Sequence, residues 1–178
     1  MQAVSKKVFE VLDVNEIPDV LDDAFSTAMS PRSGPVHIDL PRDVLGKSSE
    51  FVTPQKFKLN KYPTANETSL NKAFELLCKA SKPVILAGGG IKNHGAKATN
   101  SLLALAEILN APCTTSPGHG DLMPYAHPLN AGSAGPRGSG VGTQLLKEAD
   151  VILVLGSRLG FNTTFYSYEN INKDAAII

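Results

Sequence analysis

Hydrophobic positions along the chain follow two kinds of pattern. Two runs are unbroken: Pro83-Val84-Ile85-Leu86-Ala87 and Val151-Ile152-Leu153-Val154-Leu155. Runs of apolar residues without polar alternation fit strands covered on both faces, as in a parallel sheet. Each run empties into glycine, Gly88-Gly89-Gly90 after the first and Gly156-Ser157-Arg158-Leu159-Gly160 after the second. The other pattern is helical. Residues 15–30 place Ile17, Val20, Leu21, Ala24, Phe25 and Ala28 at amphipathic spacing, with Pro18 tolerated in the first turn. A second helix starts at Asn66, a good N-cap, and carries Leu70, Ala73, Phe74 and Leu77 on one face up to Ala80. A third, over 96–110, turns Leu102, Leu103, Ala106 and Leu109 inward, and a short one covers 141–149. Further strands are expected at Val36-His37-Ile38-Asp39-Leu40, which alternates as a half-exposed strand does, and at 112–115. Asp174-Ala175-Ala176-Ile177-Ile178 reads as the entry to one more buried strand.

This order of elements predicts the α/β class, with an open parallel sheet and helices on both faces. Pro41-Arg42-Asp43-Val44 closes the first strand, after which the chain is polar and irregular, with Pro54 and Pro63 and no sustained period. The organisation expected is an amino-terminal part at 1–47, a linker at 48–66 and a main domain at 67–178, with the chain cut at both ends. The amino-terminal part offers one helix and one strand without partner elements. A glycine-rich stretch, 116–140, is long enough for function to be a better explanation than simple connection.

Composition narrows the function classes. Lys plus Arg and Asp plus Glu each number 17 among 178 residues, and no long basic run occurs, so nothing advertises nucleic acid or an anionic membrane. A small-molecule ligand is expected instead. No apolar stretch reaches the roughly 18 residues that cross a membrane, and MQAVSKKVFE has no hydrophobic signal core, which points to the cytoplasm. Cys78 and Cys113 have no CxxC spacing and read as reduced core residues. The four histidines, His37, His94, His119 and His127, lack metal-ligand spacing, and His127 before Pro128 reads as a loop-ordering residue. Asp39 and Asp43 read as turn and surface groups.

Several chemical motifs begin and then fail. Gly88-Gly89-Gly90-Ile91-Lys92-Asn93 starts like a dinucleotide fingerprint but has Asn93 where the third glycine belongs, and the next strand ends in Thr114-Thr115-Ser116 instead of an acidic ribose contact. Gly90 and Gly95 have phosphate-loop spacing, but Ala96 stands where the lysine must be. Ala131-Gly132-Ser133-Ala134-Gly135 resembles a nucleophile elbow, yet it follows no expected strand and opens no immediate helix. What survives is the pair of glycine-ended strands, where a side-chain-free turn lets a phosphate or sugar approach the backbone, with Arg158 and Arg137 as candidate anion clamps. The competing reading of Gly88 to Gly90 is a tight strand-to-helix turn, and that of Arg158 a surface charge.

Four segments in order carry a resemblance. Gly34-Pro35-Val36-His37-Ile38-Asp39-Leu40-Pro41-Arg42-Asp43-Val44 resembles the end of the pyrimidine-binding domain of thiamine-diphosphate enzymes of the acetolactate (acetohydroxyacid) synthase group. Residues 82–90, then His127-Pro128-Leu129-Asn130-Ala131-Gly132 with Gly135-Pro136-Arg137-Gly138, then 149–158, resemble that group's central, Rossmann-like domain. The resemblance implies a fragment of an enzyme that uses thiamine diphosphate and Mg²⁺ on a 2-oxo acid, a carboligase or acyltransferase assembled as a homodimer or homotetramer. It places the activating glutamate before Met1 and the Gly-Asp-Gly metal motif after Ile178, so no catalytic or metal residue is expected within the chain. Gly120-Asp121-Leu122 is a decoy for that motif.

The same resemblance implies that the central domain holds FAD as a largely structural cofactor, or ADP, or nothing. The matching cofactor positions are Arg32, Gly88, Gly89, Gly90, Thr115, Gly135, Arg137, Gly156, Ser157 and Arg158. Two segments depart from the group: Gly135-Pro136-Arg137-Gly138 replaces Gly-Met-His-Gly, and Leu159-Gly160-Phe161-Asn162 replaces an acidic pair. Sulfoacetaldehyde acetyltransferase and related decarboxylases share the motifs and remain alternatives. So do a stand-alone nucleotide-binding module and a homologue kept only for subunit assembly.

Overall fold

A computed structural model of the chain describes residues 1–50, 64–165 and 167–178. The chain divides into two compact units, Met1–Thr64 and Ala65–Ile178. The expected linker falls mostly on 51–63, outside the described residues.

In the first unit, strand β1 (Lys7–Glu10) pairs in parallel with β2 (Val36–Asp39), Lys7 opposite Val36 and Glu10 opposite Asp39. Helix α1 (Ile17–Met29) makes the crossover between them. The strand at 36–39 therefore has a partner, contrary to the sequence expectation. Only two apolar residues, Val8 and Phe9, sit between Lys7 and Glu10, too few to show a period. Helix α1 begins after a 3-10 turn at Val14–Glu16 whose cap, the Asp13 carboxylate, accepts from the Asn15 N–H. Pro18 stands in its first turn, where no intrahelical donor is needed. β2 does not alternate cleanly, since Val36, His37 and Ile38 are all half-buried. Pro41 leads into one helical turn, α2 (Arg42–Leu45), which buries Val44.

The second unit holds the sheet that positions the site. Its strands are β3 (Pro83–Ala87), β4 (Cys113–Thr115), β5 (Asn130–Ser133), β6 (Val151–Leu155) and β7 (Ala176–Ile177), all parallel, in the spatial order β5-β4-β3-β6-β7. Helices α3 (Glu67–Lys79), α4 (Gly95–Leu109), α5 (Gly140–Glu148) and the single turn α6 (Phe161–Thr164) lie between strands or before them. The strand order runs first outward from β3 to β5 and then resumes on the other side of β3.

Side chains of β3 alternate between two cores. Ile85 and Ala87 pack with Leu102 and Ala106 of α4 on one face, while Val84 and Leu86 pack with Leu146 of α5 on the other. β6 repeats the division, with Leu153 and Leu155 on the first face and Ile152 and Val154 on the second. Burial on both faces explains why these strands lack polar alternation. Caps match the sequence: the Asn66 side chain accepts from the Ser69 N–H at 2.7 Å, and the Ser139 hydroxyl accepts from Val141 N–H at 3.1 Å.

Three expectations need correction here. Strand β5 lies inside the stretch read as loop, so Ser133 does end a strand; its hydroxyl is donated to the Thr115 carbonyl at 3.2 Å. Cys78 is exposed, whereas Cys113 is buried as expected. On α3 only Leu77 packs against the core, while Leu70 and Phe74 are exposed, because the helix meets the sheet at its carboxyl-terminal end.

Candidate functional site

The direction of winding reverses between β3 and β6, and in open α/β sheets ligands bind beyond the carboxyl ends of strands at that reversal. The two glycine-ended strands are the neighbours concerned, with Ala87 opposite Leu155. Beyond them opens a crevice of about 630 Å³, lined by residues of the loops after β3, β4 and β6. Small-molecule sites typically measure about 300–1,000 Å³.

The glycines do something other than what their sequence suggests. A Cβ on Gly88 would lie 2.5 Å from the Gly156 carbonyl oxygen, and one on Gly90 would lie 2.8 Å from the Gly156 Cα. The two turns are thus packed backbone against backbone. Gly156 joins this contact in the left-handed region, at φ 63°, where glycine carries no steric cost. The Cβ position of Gly89 is filled by the His119 imidazole, 2.5 Å from Cε1. Backbone donors are also committed: Gly88 N–H to Leu155 O at 2.8 Å, Gly90 N–H to Gly156 O at 2.9 Å and Ile91 N–H to Gly88 O at 3.1 Å. A 3-10 turn, Gly89–His94, separates β3 from α4, so no α-helix amino terminus follows the glycines directly.

The crevice is lined by the hydroxyls of Ser116, Ser157 and Thr163, the Asn162 amide, the His119 imidazole and the Arg158 guanidinium, with the Phe161 ring at its edge. Arg158 is exposed and makes no ion pair among the described residues. No carboxylate lines the crevice among the described residues. The nearest acid in sequence to His119, Asp121, is paired with Lys92 at 2.6 Å, and that hydrogen bond holds its carboxyl below the usual range. Thr115, just behind Ser116, is buried with its hydroxyl unpaired.

Of the ten positions expected from sequence, Gly89, Gly90, Gly156, Ser157 and Arg158 line the crevice. Gly88 and Thr115 are buried beside it. Gly135, at φ 97°, packs beneath the crevice-lining Asn162, whose carbonyl would meet its Cβ. Arg137 is exposed in the same loop and does not line the crevice. Arg32 belongs to the first unit, exposed in a left-handed turn at φ 56° after α1. Sequence reasoning missed Ser116 and His119, from the loop after β4, and Asn162 and Thr163, from the single turn α6, which is too short to show a period; Gly118-His119-Gly120, a polar residue between glycines beyond a buried strand, was the available signal.

The donor set fits a phosphate-bearing nucleotide. A guanidinium with no carboxylate among the described lining residues supplies the counter-charge, and hydroxyls and an amide supply hydrogen bonds. It does not fit a metal: no group of three or more His, Cys, Asp or Glu could hold an ion among the described residues. Asp121 sits in a 3-10 turn and is paired with Lys92. His127 orders its loop as expected, accepting from Leu129 N–H through Nδ1 at 3.2 Å while Nε2 meets Glu107 at 3.2 Å. No described helix is long and apolar enough to cross a membrane.

Comparison with known proteins adds to this geometry. Residues 70–178 match the family model described as thiamine pyrophosphate enzyme, central domain. The chain is 38% identical over 168 residues to a probable acetolactate synthase large subunit of Methanococcus aeolicus, covering 90% of this chain and 28% of that protein. It is 39% identical over 171 residues to a sulfoacetaldehyde acetyltransferase of Rhodobacter capsulatus, covering 95% and 28%. To the acetolactate synthase large subunit of Corynebacterium glutamicum it is 34% identical over 178 residues, covering 98% and 28%. The chain thus spans about 28% of the length of these curated relatives.

Proposed function

The chain belongs to the thiamine pyrophosphate enzyme family through its central domain, and we propose on that basis that it is the nucleotide-holding part of a larger thiamine-diphosphate enzyme. The larger enzyme acts on a 2-oxo acid as a carboligase of the acetolactate synthase kind. The observation that carries the nucleotide reading is Arg158, a cation without an acidic partner among the described residues, set on the crevice where the sheet reverses its winding. FAD or ADP is the occupant, with the phosphates on Arg158, Ser157 and Ser116 and the Phe161 ring beside the base. Its role is structural, since no acid–base pair faces the crevice.

Thiamine diphosphate and Mg²⁺ are held by residues outside this chain, and when bound they supply the carbanion chemistry. The protein is cytoplasmic and assembles as a homodimer or homotetramer. Acetyl transfer from sulfoacetaldehyde is the second reading, supported by 39% identity to a transferase of that name beside 38% to a synthase.

Full-length protein, supplied with thiamine diphosphate and Mg²⁺, is to be assayed on pyruvate, on other 2-oxo acids and on sulfoacetaldehyde, and its acid extract examined for flavin and adenine nucleotide. Turnover of a 2-oxo acid and release of one nucleotide per chain are expected. Turnover of sulfoacetaldehyde alone selects the second reading, and no turnover with no nucleotide contradicts both.

A further inference from the structure

His119 lines the crevice with one ring nitrogen unpaired. Its ring is seated over Gly89, within 2.5–3.2 Å of where a Cβ would be, so the absence of a side chain there is what makes room for it. In that seat Nδ1 is buried without a hydrogen-bond partner, a condition that native structures rarely tolerate without compensation. Yet the residue lines the same crevice as the unpaired guanidinium of Arg158. It stands between Gly118, in the left-handed region at φ 84°, and Gly120, neither of which has an atom within 4 Å of its Cβ position. A ring held by no hydrogen bond at Nδ1 and flanked by unobstructed glycines is poised to turn.

We propose that His119 is a second anion contact of the crevice, turning from its seat on Gly89 to the ligand's phosphate in its protonated form and thereby making nucleotide affinity depend on pH. The inference rests on the nucleotide reading of the crevice. Charged groups around the imidazole are Arg158 across the crevice, and Asp121 and Lys92 on the adjoining turns. The Asp121 carboxylate is already engaged by Lys92, which leaves an incoming phosphate as the uncommitted anion for an imidazolium. The protonated ring carries the charge that a phosphate accepts, so the contact weakens once the ring loses its proton.

The test is calorimetric titration of the full-length protein with ADP, and separately with pyrophosphate, between pH 5.5 and 8.5, for wild type and His119→Gln. ADP changes its own charge over this range, and the variant reports that contribution alone. The wild type is expected to bind about tenfold more tightly at the acid end relative to the variant, with the two converging at pH 8.5. Carbon-13 labelling at histidine Cε1 should show the His119 resonance titrating at higher pH when ADP is bound, a signature that a purely structural ring would not give. Equal pH dependence in both proteins, with an unmoved His119 resonance, overturns the role of His119 while leaving the nucleotide reading intact. Failure of the wild type to bind ADP, FAD or pyrophosphate at any pH overturns both.

Discussion

At Gly88 and Gly90, a hydrogen in place of a methyl group lets two turns touch. Their Cβ positions fall 2.5 and 2.8 Å from atoms of Gly156, closer than real Cβ contacts come. Gly88→Ala and Gly90→Ala should each cost about 1–3 kcal/mol through overpacking. Gly160→Ala, at φ −77° with nothing within 4 Å, should change stability by less than about 0.5 kcal/mol. Urea unfolding followed by circular dichroism checks the ranking; a Gly88 variant as stable as the Gly160 variant would contradict it. The sequence showed that these glycines were special, but a glycine needed for backbone contact and one needed for a phosphate look alike until the neighbouring strand is known. The cysteines divide similarly. Burial pushes the Cys113 thiol up to about 11, whereas Cys78 is exposed. Considering these two, Cys78 should react rapidly with a disulfide reagent at pH 8 in the native protein and Cys113 only after unfolding; rapid modification of Cys113 in the native state would refute its burial.

Among elements, legibility followed unbroken apolar runs in strands and length in helices, since β4 was anticipated with three residues while β1 and β5 with four were not. β3 and β6 were readable because burial on two faces demands unbroken apolar runs, and α4 because its 15 residues give the period four turns in which to repeat. β1 and β5 were not, having four residues each, with charges at both ends of one and Gly132 inside the other. Another connection was invisible in sequence: the Asp150 carboxylate, opening β6, accepts from Ser81 N–H at 2.6 Å and Lys82 N–H at 2.9 Å, tying the start of β6 to the turn before β3. The Ser81 bond chiefly, against a smaller opposing effect of burial, holds this carboxyl below its usual value. A depressed folded-state value stabilises above the unfolded value, near 3.9, and that contribution is lost as pH falls through the folded one. Asp150→Asn should therefore lower the thermal midpoint at pH 7 and converge with wild type toward pH 3; an equal deficit at both pH values would show that charge is not the cause.

For the whole molecule, fold class and family were legible because motifs occur in fixed order along nearly the full chain, and residues 70–178 match the central-domain family. The crevice was also legible, since two adjacent parallel strands ending in glycine imply an opening between their loops. Which residues face it was only half legible. Ser116 and His119 reach the crevice from a loop, and Asn162 and Thr163 from the single turn α6, neither of which a periodicity encodes, while Arg137 came from a glycine-flanked motif that stands outside the lining. The reading proposed for this crevice is an anion held by the Arg158 side chain. Calorimetric titration of full-length wild type and Arg158→Ala with ADP and FAD tests this most directly. Wild type should bind one of the two, and the variant should bind it at least about tenfold more weakly with its urea midpoint unchanged. Binding of equal strength by both proteins, or by neither, would contradict a nucleotide held by Arg158 in this crevice.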